Sequence, residues 1–464
     1  LQIGSNYWTY IQDDNNLIRV DLISGSNSKI ENFSALRPAL FKDSNNEFVI
    51  GAKGKDLNLL TTINNNYKLS KYSFSTEISS TPLIVKSGGI VKTLIGTIDG
   101  KVNEIDIEEF ISSNFIRGMV SYSLNNRAIN QIAAVEDYFS VISENRFVDS
   151  RGKFITLNQK AKRLAITKNV EGKFVNVILS EGNNFYFIVD GQIVSSFSLP
   201  LEEISVFSIA DLYKDGNNYI IFNLRSKIYA VNFNGITATN FPIDTESNFT
   251  LTGSPLVIDL NNDDNTDLLA FNSNGDIYAF SVTDGKQISS FPINVARIKN
   301  TIPVIFLEEL PTMGPIARYK PLLPSFTGSG ELSFWSLSSL SGKEYWLSEY
   351  ANFSNASFAG QADSKSKTTD YFPSEKAYNW PNPVYGNETY IRYYVSEDSD
   401  INIKIFDLSG ELVTELSNKA IGGIDNETRW NVSGIQSGVY YARLETKSNT
   451  GKTASKLIKI AIIK

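Results

Sequence analysis

The sequence contains neither cysteine nor histidine among its 464 residues. The absence of cysteine excludes disulfides, thiolate zinc sites, iron–sulfur clusters and a cysteine nucleophile. The absence of histidine excludes Ser-His-Asp catalysis, histidine-ligated haem or zinc, and the commonest general base near neutral pH. Together the two absences argue against an enzyme, although carboxylates, tyrosine and lysine could still carry acid–base chemistry.

Positive charge is also in short supply. The chain has 43 Lys and Arg against 50 Asp and Glu, a net charge of −7, so we do not expect it to bind nucleic acid. No apolar run is long enough to span a bilayer, and we expect no membrane span. The chain begins LQIGSNYWTY, without Met or a signal region, so we expect Leu1 to be the start of a processed or truncated chain.

What the sequence does contain is a short alternating strand that recurs about every forty to fifty-five residues. Eight copies occur: NLIRVDL, KDLNLLT, GKVNEID, NRFVDS, NFYFIV, SKIYAVN, GDIYAFS and GELSFWS. Many follow another strand such as SPLVIDL (254–260), and several continue into a turn and a further strand such as DGKQISSFPI (284–293). Four short strands per unit are typical of a β-propeller blade, and such blades pack around a closed ring.

The repeat therefore predicts an all-β fold, with a β-propeller over residues 1–360. We expect seven to eight blades and prefer eight; a β-sandwich array is the alternative. The first copy lacks an inner strand before it, so either an upstream strand or a C-terminal segment would complete the ring. The Pro-rich stretch 307–326 departs from the repeat, and we expect it to project from a rim as a contact surface.

One inter-strand loop is unusually acidic: DLNNDDNTD, residues 259–267. With its flanking strands (254–293) it resembles the FG-GAP/VCBS-type propeller repeat, related in appearance to PQQ-like propellers, in which this loop often holds Ca²⁺. Calcium takes six to eight oxygen ligands at about 2.3–2.6 Å, which alternate positions of a tight loop can supply. A solvated Asx-rich turn without metal is the alternative. The resemblance implies a structural Ca²⁺ held by the side chains of Asp259, Asn261, Asp263 and Asp267 and by the carbonyl of Asn265.

A related loop, DLYKDGNNY at 211–219, keeps Asp211, Asp215 and Gly216 but has Tyr213 and Tyr219 at ligand positions. We expect this copy to be a plain turn.

The composition and the pattern of apolar residues change near the C-terminal end of the sequence. Residues 361–377 are polar and predict a linker, and the alternating strands of 378–464 predict a small β-sandwich of about seven strands. Pro-Asn-Pro (381–383), IFDLSG (405–410), Trp430 and SGVYYARL (437–444) resemble the C-terminal sorting domain of the type IX secretion system, itself similar to a FlgD-like Ig-type sandwich. The resemblance implies that the secretion machinery is a partner. It also implies export across the outer membrane of a Gram-negative bacterium, then cleavage and surface attachment or release. The alternative is that the tail is retained as a structural or docking module.

The segment GKEYWLSEYANFSNASFAG (342–360) resembles the Trp-containing segment that often ends such propellers; its alternative is an ordinary outer strand running into a loop.

Taken together, these features predict a non-enzymatic exported protein that acts in binding, adhesion or assembly at the cell surface. Its partner would be a protein or a surface polysaccharide. Two alternatives are kept: the non-catalytic C-terminal part of a larger secreted hydrolase, and a propeller enzyme, either a lyase or a quinone-dependent dehydrogenase.

Overall fold

A computed structural model describes most of the chain. The ranges are 2–3, 6–13, 15–21, 24–42, 46–63, 66–113, 119–124, 126–260, 265–294, 306–310, 318–326, 332–336, 340–341, 346–352, 354–361 and 370–464. Within these ranges the chain is almost entirely β, with one α-helix, α1 (Ile107–Ser113), and two 3₁₀ helices, Glu181–Asn183 and Ser374–Lys376. None of the described helices is both long and apolar enough to cross a membrane.

In the described part of the chain, eight sheets follow one another, each built from four antiparallel strands that are consecutive in sequence; sheet 5 has in addition a fifth, parallel strand from a later part of the chain. Sheet 1 contains β1 (Gln2–Ile3), β2 (Asn6–Asp13), β3 (Asn16–Asp21) and β4 (Asn27–Ile30). Sheet 2 contains β5 (Ala39–Lys42), β6 (Asn46–Lys53), β7 (Asp56–Ile63) and β8 (Asn66–Ser73). Sheet 3 contains β9 (Leu83–Ser87), β10 (Ile90–Gly96), β11 (Lys101–Asp106) and β12 (Met119–Ser123). Sheet 4 contains β13 (Gln131–Val135), β14 (Tyr138–Ser143), β15 (Arg146–Asp149) and β16 (Phe154–Thr156).

The second half of the array has the same plan. Sheet 5 contains β17 (Ala161–Lys168), β18 (Phe174–Ser180), β19 (Asn184–Val189) and β20 (Gln192–Ser198). Sheet 6 contains β21 (Ser208–Ala210), β22 (Tyr219–Leu224), β23 (Lys227–Asn232) and β24 (Ile243–Asp244). Sheet 7 contains β25 (Leu251–Ile258), β26 (Asp267–Asn272), β27 (Asp276–Ser281) and β28 (Ile293–Asn294). Sheet 8 contains β29 (Phe306–Leu310), β30 (Arg318–Phe326), β31 (Leu332–Ser336) and β32 (Leu340–Ser341), the last paired with β30.

The pattern of buried residues along each strand depends on whether neighbouring sheets cover one or both of its faces. All six residues of β14 are buried, and six of the seven in β18, because neighbouring sheets pack against both faces of these strands. The alternation in β3, where every second residue is buried, marks a strand with one face covered. The eight sequence copies coincide with the third strand of each sheet, so these strand predictions are confirmed.

Two expectations for this region were wrong. The first sheet does have a strand in front of β2, because β1 pairs with it through Gln2 and Ile3. The Pro-rich stretch 307–326 does not depart from the repeat, because it falls largely on β29 and β30, which pair with each other, and β30 also pairs with β31. Its role as a contact surface stays a prediction. Residues 311–317, between those two strands, lie outside the described residues.

Many of the hairpin turns share one hydrogen-bonded geometry. An Asp or Asn side chain accepts the backbone N–H groups two and four residues ahead, and a glycine three residues ahead has a positive φ. Glycine is favoured there because a left-handed backbone brings no Cβ clash. The pairs are Asp149–Gly152, Asn169–Gly172, Asn232–Gly235, Asn272–Gly275 and Asp407–Gly410.

The C-terminal part, residues 370–464, is called the tail domain below. Its three-stranded sheet contains β34 (Tyr378–Trp380), β35 (Glu388–Val395) and β38 (Ile424–Asn431). Its four-stranded sheet contains β36 (Ser399–Phe406), β37 (Leu412–Ala420), β39 (Gly438–Ser448) and β40 (Thr453–Ile462). Trp430 and Ile403 lie in the core between them, together with Tyr371 and Phe372, which the sequence had assigned to the linker.

Several sheets of the N-terminal part, among them sheets 3, 4, 5 and 7, contact one further piece of chain, called the axial segment: residues 346–352 and 354–361. Its last four residues form β33 (Phe358–Gln361), parallel to β17, the first strand of sheet 5. Elsewhere it contacts the first strands of sheets 3, 4 and 7 through the backbone. First strands that face a common axis, with later strands radiating outward, make this a propeller-like arrangement.

Candidate functional sites

The acidic loop of sheet 7 connects β25 to β26. Asp259 and Asp267, at its two ends, are buried, and the Asp267 carboxylate accepts the backbone N–H of Leu260 at 2.9 Å. Asn265 is exposed, while Asn261 and Asp263 lie outside the described residues. Within the described ranges, no three acidic residues come together as a metal site. The calcium ligand set of the sequence analysis stays a prediction.

The related loop of sheet 6 folds onto its own backbone. The Asp211 carboxylate accepts the N–H of Asp215 at 3.1 Å and that of Gly216 at 2.8 Å. Asp215 in turn accepts the N–H of Asn217 at 3.0 Å, and Gly216 has a φ of +87°. The acidic residues of this loop therefore satisfy backbone donors that a tight turn would otherwise leave without partners.

A cation from the tail domain lies against this loop. The Lys376 Nζ is 3.6 Å from an oxygen of Asp215 and 3.9 Å from an oxygen of Asp425, which lies on β38. The three side chains are 17%, 10% and 8% exposed. The same Nζ is 4.6 Å from the ring centroid of Tyr394 and 5.7 Å from that of Tyr213, so the ammonium is enclosed by both acids and aromatic rings.

Direct hydrogen bonds flank this cation. The Tyr219 hydroxyl donates to Asp425 at 3.3 Å, and the Asn217 side chain donates to the carbonyl of Gly423 at 2.9 Å. Tyr219 is buried, and its ring packs edge-on against that of Tyr213 at 5.3 Å. The loop is therefore an interface, and the expectation of a plain turn was wrong. The sequence did contain a signal for this interface, namely the two tyrosines at the positions of metal ligands. Large aromatic rings are favoured where they are buried and not in a solvated turn.

A second contact lies beside the first. Arg392 of β35 donates to the carbonyl of Phe241, in sheet 6, at 3.0 Å. The guanidinium also pairs with Glu427 at 3.3 Å and stacks over Trp380, and its side chain is only 5% exposed. Both contacts use the three-stranded sheet of the tail domain, so this sheet is the one turned toward sheet 6.

Burial dominates the electrostatics of this interface. Burial raises the pKa of Asp425 above its usual range, although Lys376 opposes the shift. Burial likewise raises the pKa of Glu427 against the opposing effect of Arg392. Burial and the nearby Asp425 together raise the pKa of Tyr219. The ionised acids are therefore held in a costly environment and depend on the two cations for compensation.

The axial segment pairs with the inner edges of several sheets. The backbone N–H groups of Ile84, Ala134 and Ile166 donate to successive parts of it, to the carbonyls of Ser354, Ala356 and Ser357, at 2.8–2.9 Å. Trp346 and Val257 exchange two backbone hydrogen bonds. First strands of a propeller present edge donors toward the axis, and here the chain itself satisfies them.

Charged side chains complete the packing at the axis. Glu349, 10% exposed, pairs with Arg37 at 3.0 Å and with Arg163 at 2.6 Å. Both arginines also donate to the Tyr350 hydroxyl, at 2.7 Å and 3.0 Å. Arg37 precedes sheet 2 and Arg163 belongs to sheet 5, so one carboxylate links two sheets that are far apart in sequence. The cavity beside these residues has a volume of about 10 Å³, room for about one water molecule.

The other face of the tail domain is open. A shallow groove of about 1000 Å³ crosses the four-stranded sheet and is lined by polar side chains. They include Asp400, Asn402, Ser417, Lys419, Glu445 and Lys447.

Comparison with known families identifies the tail. Residues 379–460 match the model of the secretion system C-terminal sorting domain. The tail domain is thus a type IX secretion sorting domain, as its sequence motifs predicted, and it directs the chain to the cell surface or the extracellular space. It also implies an interaction with the secretion machinery.

Comparisons of the whole chain are less informative. No curated protein matches it. Among solved structures, BBS1N in complex with ARL6DN, soaked with lead, is similar at 12% identity and a TM-score of 0.41, covering 71% of this chain and 87% of that one. A chain of the Mitotic Checkpoint Complex is similar at 11% identity and a TM-score of 0.39, covering 62% of this chain and 83% of that one.

Proposed function

We propose that the chain is an exported, non-enzymatic β-propeller protein that acts as a binding, adhesion or assembly subunit at the cell surface. The propeller has eight blades, sheets 1 to 8, and the tail domain is an Ig-like sandwich of the FlgD type. The partner is a protein or a surface polysaccharide. A structural Ca²⁺ in the loop of sheet 7 belongs to the same proposal.

The observation that carries the proposal is that, in the described part of the chain, the axial segment occupies the axis. A propeller enzyme needs a cavity in which a substrate meets converging polar groups, and ligand sites are typically a few hundred Å³ or more. At this axis the backbone of the axial segment takes the inner-edge hydrogen bonds, and Glu349 is already paired with Arg37 and Arg163. This arrangement favours a scaffold whose outer surfaces make the contacts over a lyase or a quinone-dependent dehydrogenase.

The calcium part of the proposal is supported by the two buried carboxylates of the sheet 7 loop. Asp259 and Asp267 lie at either end of one short connection, so a cation between the ends would hold β25 and β26 in register. Such an ion would stabilise the blade and would not participate in a reaction.

Retention of cells on coated surfaces tests the binding role. Cells that export the full chain are compared with cells that export an unrelated globular domain joined to residues 370–464, which keeps the sorting domain. We expect the full chain alone to increase retention on a surface coated with outer-membrane protein or with surface polysaccharide. Equal retention of both cell types on both coatings would contradict the proposal.

The enzyme alternative has its own test at the axis. Glu349→Gln removes the central charge, and its effect on unfolding is measured together with turnover on polysaccharide and alcohol substrates. A turnover that wild type shows and that a folded Glu349→Gln chain lacks would favour the propeller enzyme.

A further inference from the structure

The tail domain and sheet 6 meet through charged and aromatic groups that are removed from water. Lys376, Asp215 and Asp425 are each less than a fifth exposed, as is Arg392. Exposed ion pairs contribute little, but a buried charge must be compensated or it strongly destabilises the state that buries it. This contact therefore depends on both parts being in place together.

We propose that residues 211–219 and Phe241 of sheet 6 form a docking site for the folded tail domain, and that the tail stays bound there when the chain between residues 361 and 370 is cut. The tail is then a lasting subunit of the surface protein, held without a covalent connection. This assignment goes beyond the proposed function, because it concerns how the sorting domain is retained and holds for any activity of the propeller.

The first argument comes from the sequence of the loop. Loops 211–219 and 259–267 have the same length and the same first two residues, Asp-Leu. Where the sheet 7 loop has Asn261 and Asp267, the sheet 6 loop has Tyr213 and Tyr219. Both tyrosine rings lie at the tail contact, one facing the Lys376 ammonium and the other hydrogen-bonded to Asp425. The substitutions exchange two oxygen ligands for two packing surfaces.

The second argument comes from charge. Asp215 of the propeller and Asp425 of the tail share the single ammonium of Lys376, at 3.6 Å and 3.9 Å. Separation would leave Asp215 without this cation and would expose Tyr219, whose side chain is buried in the assembled chain. Arg392 repeats the pattern, since its guanidinium binds Glu427 of the tail and the Phe241 carbonyl of the propeller.

The third argument concerns what kind of partner fits. The tail contributes Lys376 from a 3₁₀ helix, Arg392 from β35, and Gly423 and Asp425 from the start of β38 and the turn before it. These positions are brought together only when the three-stranded sheet has formed. The site therefore recognises a folded sandwich and not a linear peptide from it.

Cleavage of the full chain tests the proposal. A protease recognition sequence is inserted between Gln361 and Asp370, the purified chain is cut to completion, and the products are run on size exclusion at micromolar and nanomolar concentrations. We expect the two products to elute together at micromolar concentration and to separate on dilution with a measurable Kd. Two separate peaks at micromolar concentration would overturn the proposal.

Substitutions then assign the binding to this contact. Lys376→Ala leaves Asp215 and Asp425 facing each other, and we expect it to raise the Kd of the cut products by about 100-fold or more. Lys452→Ala is the matched control, because its ion pair with Glu397 lies on the exposed part of the tail. Equal Kd values for the two variants would overturn the assignment. Asn217→Ala, on the propeller side, provides a second test in which the sequence of the tail is unchanged, and we expect a weaker but measurable loss.

Discussion

Two acidic loops in neighbouring sheets differ in their cation: one contacts the ammonium of Lys376, and the other is predicted to bind Ca²⁺. Residues 211–219 in sheet 6 and 259–267 in sheet 7 occupy the same place, between the first and second strands of their sheets. In sheet 6 the loop closes on its own amides and receives the ammonium of Lys376. In sheet 7 the corresponding residues are the predicted ligands of a Ca²⁺ ion. Under the calcium proposal, an acidic turn of this kind can accept different cations, and its variable positions decide which cation it binds.

The decisive positions are the third and the ninth of the loop. A short polar side chain at these positions directs an oxygen into the turn, whereas a tyrosine carries its hydroxyl past the turn to a distant partner. The Tyr219 hydroxyl reaches Asp425 across the domain boundary, while Asp267 accepts the nearby N–H of Leu260. The change from Asp to Tyr converts a local contact into one between domains.

The sharpest way to break the comparison is to give sheet 6 the residues of sheet 7. Tyr213→Asn with Tyr219→Asp removes two aromatic rings, of which that of Tyr219 is fully buried, and places another carboxylate close to Asp425. We expect the free energy of unfolding to fall by about 3–5 kcal/mol or more, since loss of a buried aromatic alone costs this much. Urea unfolding of the full chain measures it.

Tyr385→Asp is the matched control for this change, because Tyr385 is 71% exposed on the tail domain. It should shift stability by no more than about 0.5 kcal/mol. A double variant as stable as this control would mean that Tyr213 and Tyr219 do not hold the interface.

Calcium removal is expected to have the next largest effect, and it acts on the other loop. We expect the full chain to bind one Ca²⁺, and saturation at about 100 times the Kd would stabilise it by about 2.7 kcal/mol. Asp259→Asn with Asp267→Asn should abolish both the bound ion and the drop in Tm caused by a chelator. Native mass spectrometry and thermal unfolding with and without chelator measure the two effects.

The sheet 6 loop supplies the control for calcium. Asp211→Asn with Asp215→Asn should leave the bound Ca²⁺ unchanged, because this loop is occupied by its own amides and Lys376. An unaltered Tm on chelation of the wild-type chain, with no ion detected, would make the sheet 7 loop an Asx-rich turn without metal.

The repeat could be predicted from the sequence because apolar and polar residues alternate with a period of two within each copy. The alternating copies near Leu17, Ile228 and Ile277 predicted third strands, and side chains of period two can bury one face only as strands. The Pro-rich stretch 307–326 was misread because proline was taken as a sign of an irregular loop, whereas β30 accommodates prolines at positions 321 and 324. Propensity is a weak guide where tertiary pairing decides the outcome.

The contact between the tail domain and sheet 6 and the ion pairs at the axis could not be predicted from the sequence, because each joins residues that are far apart in the chain. Lys376 and Asp215 are 161 positions apart, and neither lies in a pattern that marks it as buried. Glu349 likewise meets Arg37 and Arg163 only after sheets 2 and 5 have packed around the axial segment. Local periodicity reports which face of a strand is covered but carries no information on which distant side chain covers it.

The smallest expected effect concerns the protonation of Asp425. Its pKa is raised above the usual value of 3.8, mainly because burial disfavours the carboxylate and only in part offset by Lys376. The folded chain therefore holds this proton more tightly than the unfolded chain does. The resulting stabilisation is fully present below the unfolded pKa and is lost as the pH rises through the raised folded pKa.

Asp425→Asn removes this titration while keeping an oxygen for the Tyr219 hydroxyl. At pH 7 we expect the variant to be close to wild type in stability, because the loss of an ion pair with Lys376 is offset by one fewer buried charge. As the pH falls toward about 4, wild type should gain stability relative to the variant, and unfolding measured across this range reports the difference. Asp400→Asn, on the open face of the tail, is the matched control. A constant difference between wild type and Asp425→Asn from pH 7 to pH 4 would mean that this carboxyl is not held in the desolvated contact with sheet 6, and the distinction between the two loops would then rest on the tyrosines alone.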